Sequence, residues 1–266
     1  LRALLDRYHL VPRRSLGQNF VADANTVRRI ADLAGVGPGD HVVEIGAGLG
    51  SLTLALTETG ASVIAIEVDR DLVPVLRDVV ADLDVEVIEA DASTLDWPGL
   101  LAGARSWHLV SNLPYNVATP LVLDRLRDAP EIESMLVMVQ KEAGDRLVAG
   151  AGEAAVGIPS MIVAYHGTAR IVGRVPPSVF VPRPKVESVL VQIERHETPP
   201  VDTPLDEIEP ILRRAYGQRR KMLRRSLAGV IDAAGFEAAE IEPTARPEEL
   251  TISDWGRLAE CRLGDS

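Results

Sequence analysis

With 266 residues, 46% of them hydrophobic and 25% charged, the chain has room for one large domain and a smaller companion, since domains usually run to roughly 100–200 residues. No run of about 18 consecutive apolar residues is present, which argues against a membrane span, and the single cysteine, Cys261, excludes an intrachain disulfide or a cysteine-built zinc site. With 39 acidic against 28 basic residues and a net charge of −11, the chain is a poor generic nucleic-acid binder, because phosphate contacts need clustered Lys and Arg.

The chain opens at Leu1 without a methionine, which fits a numbering that starts inside a longer precursor or after processing. Nothing near that end has a signal-peptide layout, so a soluble, cytoplasmic protein is expected. After an N-terminal arm of loop and short helix, the pattern predicts a helix over 23–34, stopped by Gly35 and the Gly37-Pro38-Gly39 turn. From there short apolar runs alternate with amphipathic stretches, as in a βαβ series with a parallel sheet. Strands are predicted over 41–45, 62–67, 85–89, 106–111 and 135–139, and helices over 51–59, 71–81 and 118–127, with Ser51 and Asp71 suited to first-turn or capping positions. A helix to about 148 and a Gly/Ala-rich joint over 149–157 follow. Apolar runs over 161–164, 170–175 and 187–193 read as late antiparallel strands closing the sheet. The proline-dense segment 176–184 reads as a stiff loop. A polar break at 194–204 predicts a linker between a catalytic domain over 1–195 and a helical domain over 205–266, with helices over 205–215, 218–234 and 248–261.

The most specific local signal is Val43-Glu44-Ile45-Gly46-Ala47-Gly48-Leu49-Gly50, set between a predicted strand and a predicted helix. Glycines there let the backbone approach a ligand closely, while the helix N-terminus supplies unpaired N–H groups. A nicotinamide fingerprint would place its third glycine three residues after the second; here it comes two after, with an acid ahead of the first. That form resembles the S-adenosylmethionine loop of class I methyltransferases, where no pyrophosphate needs housing. Glu67 ends the second predicted strand, where a carboxylate can accept both hydrogen bonds of a ribose diol, although an exposed strand-end acid would read the same. Asp91, followed by Ala92, is placed to accept from an adenine amine; a helix cap is the plainer alternative. Acids at the ends of the first three strands would together line the edge where such sheets bind ligands.

The fourth strand runs into Asn112-Leu113-Pro114-Tyr115. Adenine N6 is a poor nucleophile because its lone pair is delocalised into the ring. The Asn112 side-chain oxygen and the Pro114 carbonyl can each accept an N6–H bond and favour the pyramidal nitrogen that attacks a sulfonium methyl. Tyr115 can stack on a base that has been flipped out or presented in a loop. The sulfonium is already activated, so no metal is expected.

Leu16-Gly17-Gln18-Asn19-Phe20, the glycine loop, Asn112–Tyr115, Pro176-Pro177-Ser178-Val179-Phe180, Pro184-Lys185-Val186-Glu187-Ser188 and Gln218-Arg219-Arg220-Lys221 resemble the KsgA/RsmA family of small-subunit rRNA adenine N6-dimethyltransferases over nearly the whole chain. The resemblance implies a class I methyltransferase fold, Rossmann-like, with a mostly parallel sheet and an antiparallel late strand, plus a small helical C-terminal domain. It implies S-adenosyl-L-methionine as cofactor, approached by Asn19, Val21, Gly46, Gly48, Glu67, Asp91, Ala92 and Asn112. Phe180 matches an aromatic that helps hold the target base, although a buried loop anchor reads equally well from sequence. Leucine is usual in the family where this chain has Val21, and 154–168 departs from the usual wording.

Arg213, Arg214, Arg219, Arg220, Lys221, Arg224 and Arg225 fall in one stretch without an acid, so local field can dock RNA on an acidic protein. On a helix over 218–234, Arg220 and Arg224 would share one row and Lys221 and Arg225 the next, with Leu223 and Leu227 facing the core. The expectation is a monomer acting on small-subunit rRNA within a pre-ribosomal particle, methylating adjacent adenosines near the 3′ end. The alternatives are a large-subunit rRNA adenine methyltransferase of the macrolide-resistance type and a non-catalytic assembly factor that keeps the fold.

Overall fold

The computed structural model describes residues 2–13 and 16–263. Its elements in chain order are α1 (Arg2–Arg7), β1 (Phe20–Val21), α2 (Ala24–Ala34), β2 (His41–Ile45), α3 (Ser51–Glu58), β3 (Ser62–Glu67), α4 (Val73–Val79), β4 (Val85–Glu89), α5 (Trp97–Leu101), β5 (Trp107–Asn112), α6 (Ala118–Asp128), β6 (Ile132–Gln140), α7 (Lys141–Val148), α8 (Ile158–His166), β7 (Gly167–Val175), β8 (Phe180–Val181), β9 (Ser188–Arg195), α9 (Leu205–Tyr216), α10 (Leu223–Ser226), α11 (Ala233–Ala238) and α12 (Ile252–Glu260). They divide into two compact units: residues up to 144 with 170–195, and 145–169 with the chain from 196 on.

The first unit is built on a seven-stranded sheet in the order β4-β3-β2-β5-β6-β9-β7. Pairings from β4 through β6 are parallel, and β9 runs antiparallel to β6 with Gln140 opposite Ser188. The inner strands are mostly apolar because both of their faces are covered. One core joins Val27, Ile30, Leu52 and Leu56 of α2 and α3 to Val42, Val63, Val110 and Leu190 of the sheet. Another joins Leu76 and Val80 to Ala47 and Ala65. Asp23 caps α2 by accepting the Thr26 N–H at 2.7 Å, as a short acceptor at a helix start should. Asp71 caps nothing. It receives the Arg13 guanidinium instead, and α4 begins at Val73. The strand order reverses at β2, with β3 on one side and β5 on the other, so a crevice opens beyond the carboxyl ends of these strands.

Three segments differ in secondary structure from what the sequence predicts. Residues 161–164 are not strand but part of α8, where Pro159 occupies the first turn and Ser160 Oγ accepts the Gly157 N–H at 3.1 Å. A short apolar run buried on several sides looks the same in either state. The proline-dense segment is more than a loop. After a 3-10 turn at Pro177–Val179, β8 pairs antiparallel with β1, matching Phe20 to Val181 and Val21 to Phe180. The expected helix over 218–234 is broken into α10 and α11. Leu223 and Leu227 are buried as expected, and Ile231 with them at the same helical spacing, but Gly229 adopts φ +78° and Asp232 starts a new helix by accepting the Gly235 N–H at 2.8 Å.

The second unit packs α8, α9, α10, α11 and α12 around Ile208, Leu212, Leu223, Phe236 and Trp255. Its helix α12 carries a capping box in which Thr251 and Asp254 exchange bonds at 2.8 and 3.2 Å. The sequence division at 1–195 and 205–266 differs from these units over 145–169. Ala149, Val156 and Met161 bury into the C-terminal core, the Gly152 N–H donates to Glu248 O at 2.6 Å, and Arg219 Nη2 donates to Ala154 O at 2.9 Å. The Gly/Ala-rich stretch is thus a docked part of the helical unit.

Candidate active site

A cleft opens in the first unit where the ends of β2, β3 and β5 meet the arm before β1, with about 700 Å3 of space free of atoms, part of it open to solvent. Its walls come from Leu16–Phe20, the glycine loop, Glu67–Val68, Ala90–Ala92 and Asn112–Tyr115. Ser111 sets the branch point. Its hydroxyl accepts the Ile45 N–H at 2.8 Å just where β2 and β5 stop pairing, which holds the two strand ends apart without leaving a buried donor unpaired.

The glycine loop needs its glycines on two counts at Gly48. The residue sits at φ +60°, and a Cβ there would lie 2.9 Å from the Phe20 ring, which packs against the loop from the arm. Its N–H donates to Glu67 Oε2 at 2.7 Å, and the Asp69 N–H donates to Glu67 Oε1 at 2.9 Å. Glu67 is 5% exposed. Burial pushes its carboxyl above the usual range, partly offset by bonds from Asp69 and Gly48. Each carboxylate oxygen has a second lone pair for a ligand. Asp91 is exposed, with Oδ1 accepting both the N–H and hydroxyl of Ser93 at 2.9 and 2.7 Å, and those bonds hold its carboxyl below the usual range. Its neighbour Ala92 is fixed by its carbonyl, which accepts Trp97 Nε1 at 2.9 Å and Arg125 Nη1 at 2.8 Å. Arg125 in turn lies over the Trp97 ring at 4.4 Å.

Asn112 lines the cleft, and its Nδ2 donates to the Asn19 carbonyl at 2.9 Å, so the side-chain oxygen is the group left to accept. Asn19 is itself held by an Nδ2 bond to Gly17 O at 3.0 Å. Pro114 O accepts the Val117 N–H at 3.1 Å, which leaves one lone pair for a second donor. The Tyr115 hydroxyl lies 2.7 Å from Ser188 Oγ, which is fully buried at the start of β9. Burial pushes the Tyr115 hydroxyl pKa up, so the group stays neutral.

The cleft therefore gathers Asn19, Gly46, Gly48, Glu67, Asp91, Ala92, Asn112, Pro114 and Tyr115. Three sequence-selected positions lie elsewhere. Val21 and Phe180 pair across β1 and β8 and are buried in the main core, because alternate strand residues face opposite sides and Phe20 takes the cleft side. In this structure Phe180 is the buried loop anchor rather than a cleft aromatic. Glu44, the acid at the end of the first sheet strand, does not line the edge. It is 2% exposed and accepts the Thr53 hydroxyl at 2.6 Å, tying β2 to α3, and desolvation pushes its carboxyl up to about 8. Sequence reading assigns no role to Leu16, Phe20, Val68 or Leu121 as cleft walls, or to Arg125 as the clamp on Ala92. Arg125 carries no signal in sequence, being one cation on an amphipathic helix.

In the second unit, Arg220, Lys221, Arg224 and Arg225 are exposed. They do not form two helical rows, since Arg220 and Lys221 sit in the turn before the four-residue α10. The Leu223 and Arg224 N–H groups bond to Ala245 O and Pro243 O at 2.8 and 2.9 Å, which fixes that turn from a distant part of the chain. Arg219 is engaged within the unit by Ala154 O and by Glu248 at 3.5 Å. Arg214 likewise donates to Ser226 O and Ala228 O. Among the described residues no group of three or more His, Cys, Asp or Glu is placed to hold a metal, and no helix is long and apolar enough to cross a membrane.

A family model for ribosomal RNA adenine dimethylase matches residues 11–261. A ribosomal RNA small subunit methyltransferase A from Cutibacterium acnes is 44% identical over 276 residues, covering 98% of this chain and 92% of that protein. The protein of that name from a Mycobacterium species is 43% identical, covering 100% and 94%. Among solved structures, a dimethyladenosine transferase from Plasmodium falciparum has a similar fold, with a TM-score of 0.77 at 22% identity over 91% of this chain and 99% of that one. The 23S rRNA methyltransferase ErmE gives 0.71 at 25% identity, over 91% and 98%.

Proposed function

The chain belongs to the ribosomal RNA adenine dimethylase family, and from that premise we propose that it transfers methyl groups from S-adenosyl-L-methionine to N6 of two adjacent adenosines near the 3′ end of small-subunit rRNA, as a cytoplasmic monomer acting on pre-ribosomal particles. Its fold is the class I methyltransferase fold, and the family's methyl donor is S-adenosyl-L-methionine. The small-subunit reading is favoured over the large-subunit one by relatives at 43–44% identity that carry the small-subunit name, against 25% for the 23S enzyme.

The cleft fits a nucleoside-bearing cofactor by its acceptors and walls: a buried carboxylate at Glu67, a second carboxylate at Asp91, and the apolar side chains of Ile66, Val68 and Leu121. Glu67 would hold the ribose diol, Asp91 the adenine amine, and the backbone around Gly46 and Gly48 the remainder, with Ala92 and Asn19 closing the ends. When bound, the cofactor supplies a methyl group already activated by a positive sulfur.

The chain's own work is to prepare the nitrogen. The observation that best supports the reading is the Asn112 Nδ2 bond to Asn19 O, because it commits the amide to presenting its oxygen. Asn112 Oδ1 and the second lone pair of Pro114 O would each accept an N6–H, drawing the lone pair out of conjugation and toward the methyl. These acceptor bonds strengthen as the nitrogen becomes positive, so their effect falls on the transition state. Tyr115, pinned through Ser188, would stack on the base. Leu16, Phe20, Leu113 and Val117 give the cleft apolar wall, which would lower the water content around both bonds once a base is bound and so strengthen them. Arg220, Lys221, Arg224 and Arg225, with Arg219, would form the RNA-docking face of the helical unit. Mapping methylated positions after the protein is incubated with small-subunit precursor particles and, separately, with large-subunit RNA tests this reading: paired adenosines near the 3′ end of the small-subunit RNA are expected, and modification confined to large-subunit RNA would overturn it.

A further inference from the structure

The arm before β1 is held by more than the cleft needs. Asp69 lies in the turn after β3, two residues beyond Glu67, and its side chain is 2% exposed. Asp69 Oδ1 accepts Arg13 Nη1 at 2.8 Å and the Asp71 N–H at 3.1 Å, and Oδ2 accepts Gln18 Nε2 at 2.7 Å. The two arm residues are also joined to each other, since the Arg13 N–H donates to Gln18 Oε1 at 2.7 Å. Arg13 Nη2 reaches Asp71 as well. Both carboxylate oxygens of a buried acid are thus engaged by groups from the arm.

We infer that Arg13 and Asp69, with Gln18, are positioning residues that latch the N-terminal arm across the cofactor cleft and set how fast the cofactor leaves. The inference rests on the cofactor reading of the cleft proposed above. Residues 16–20, which include the latch residue Gln18, supply Leu16, Gly17, Gln18, Asn19 and Phe20 to the cleft wall, so a ligand exchanging through that side must displace them. Their fit is close. Gly17 has φ +68°, and a Cβ there would lie 2.6 Å from Asn116 Oδ1 and 3.2 Å from Pro114, so the arm lies directly on the catalytic loop. Elsewhere the arm is secured by Tyr8, whose hydroxyl donates to Asp78 at 2.6 Å, and by Leu5 packed with Leu72 and Val75. Releasing only the latch end should therefore free residues 16–20 without detaching α1.

The latch and the ribose site share one turn, because the Asp69 N–H that bonds Glu67 Oε1 belongs to the residue that accepts the arm. A buried carboxylate stripped of its partners is costly. The arm-off state is thereby disfavoured until water can reach Asp69. Arg13 is the better residue to change, since its side chain is about half exposed and its removal leaves no cavity.

The test is the dissociation rate of S-adenosylhomocysteine by stopped flow, together with hydrogen exchange of the amides of residues 16–20 in the ligand-free protein. Arg13→Ala should speed exchange at these amides and raise the dissociation rate about tenfold, the equivalent of about 1.4 kcal/mol, while the amides of α1 keep their protection and the melting temperature drops only slightly. Arg13→Lys should recover part of both, and Asp69→Asn should reproduce the Arg13→Ala effects. Unchanged exchange and dissociation in Arg13→Ala overturn the latch, as does faster exchange with unaltered dissociation. Glu67→Ala is read separately: if it leaves S-adenosylhomocysteine affinity unchanged, the cofactor reading fails, whatever the arm does.

Discussion

Replacing Glu67 by alanine should weaken cofactor binding strongly and stability slightly, and the structure apportions the two. Both carboxylate oxygens already accept a backbone N–H, from Gly48 at 2.7 Å and Asp69 at 2.9 Å, so each offers a ligand its second lone pair. Hydrogen bonds to a charged group contribute about 1.5–3 kcal/mol each, but a diol displaces water from the same oxygens, so the pair together should be worth about 2–3 kcal/mol. That corresponds to a loss of roughly 30- to 150-fold in affinity. The Gly48 and Asp69 amides lose their acceptor at the same time. Because the cleft is open to water, and because burying the carboxylate already costs free energy, the stability loss should stay near 1 kcal/mol. Glu67→Gln keeps one acceptor oxygen and should fall between. Isothermal titration with S-adenosylhomocysteine, alongside a urea melt, separates the effects. An affinity within twofold of wild type for Glu67→Ala would remove Glu67 from the site, and a collapse of the fold would mean that its bonds to the loop matter more than its bonds to a ligand.

The buried Glu44 gives a pH prediction. Its carboxyl is pushed up to about 8 from 4.5, so between those values the folded protein keeps a proton that the unfolded chain has shed. Stability should therefore fall as pH rises through that window, at most on the order of 1 kcal/mol per pH unit. Glu44→Gln stays neutral, so its melting temperature should decline less than that of wild type from pH 5 to pH 8; parallel profiles would show that Glu44 does not carry the penalty. The basic face predicts a salt effect: the double variant Arg220→Glu, Arg224→Glu should weaken binding to a small-subunit precursor and lower the slope of log affinity against log salt by about 0.7–0.9 for each phosphate that is no longer neutralised. Equal affinity and slope would place the RNA elsewhere.

The parallel half of the sheet was legible because its inner strands are largely apolar and three of the helices beside them, α3, α4 and α6, fall on predicted helical stretches, while the five-residue α5 is too short to show a period. The cleft was legible for the same reason: Gly46, Gly48, Glu67, Asp91 and Asn112 all sit at strand ends, whose positions the pattern fixes. What escaped depends on partners remote in sequence. Val21 and Phe180 face the core because β1 and β8 pair across about 160 intervening residues, and a two-residue strand has no period to read. The break of 218–234 was hidden because Leu223, Leu227 and Ile231 keep helical spacing through it, while carbonyls from residues 243 and 245 satisfy the amides of Arg224 and Leu223. Glu44 shows the same limit. A strand-end acid in a glycine motif reads as a ligand contact, and only the Thr53 hydroxyl across from it explains why it is buried.

Activation of an adenine amine through the oxygen of Asn112 is the step on which the proposed function rests. It is tested most directly by comparing wild type with Asn112→Ala on a small-subunit precursor, measuring single-turnover methyl transfer, S-adenosylhomocysteine affinity and RNA affinity together. Losing an acceptor that acts mainly in the transition state should slow transfer about 100-fold or more, while RNA affinity changes by less than about threefold. Transfer near the wild-type rate, with both ligands still bound, would contradict that role for Asn112.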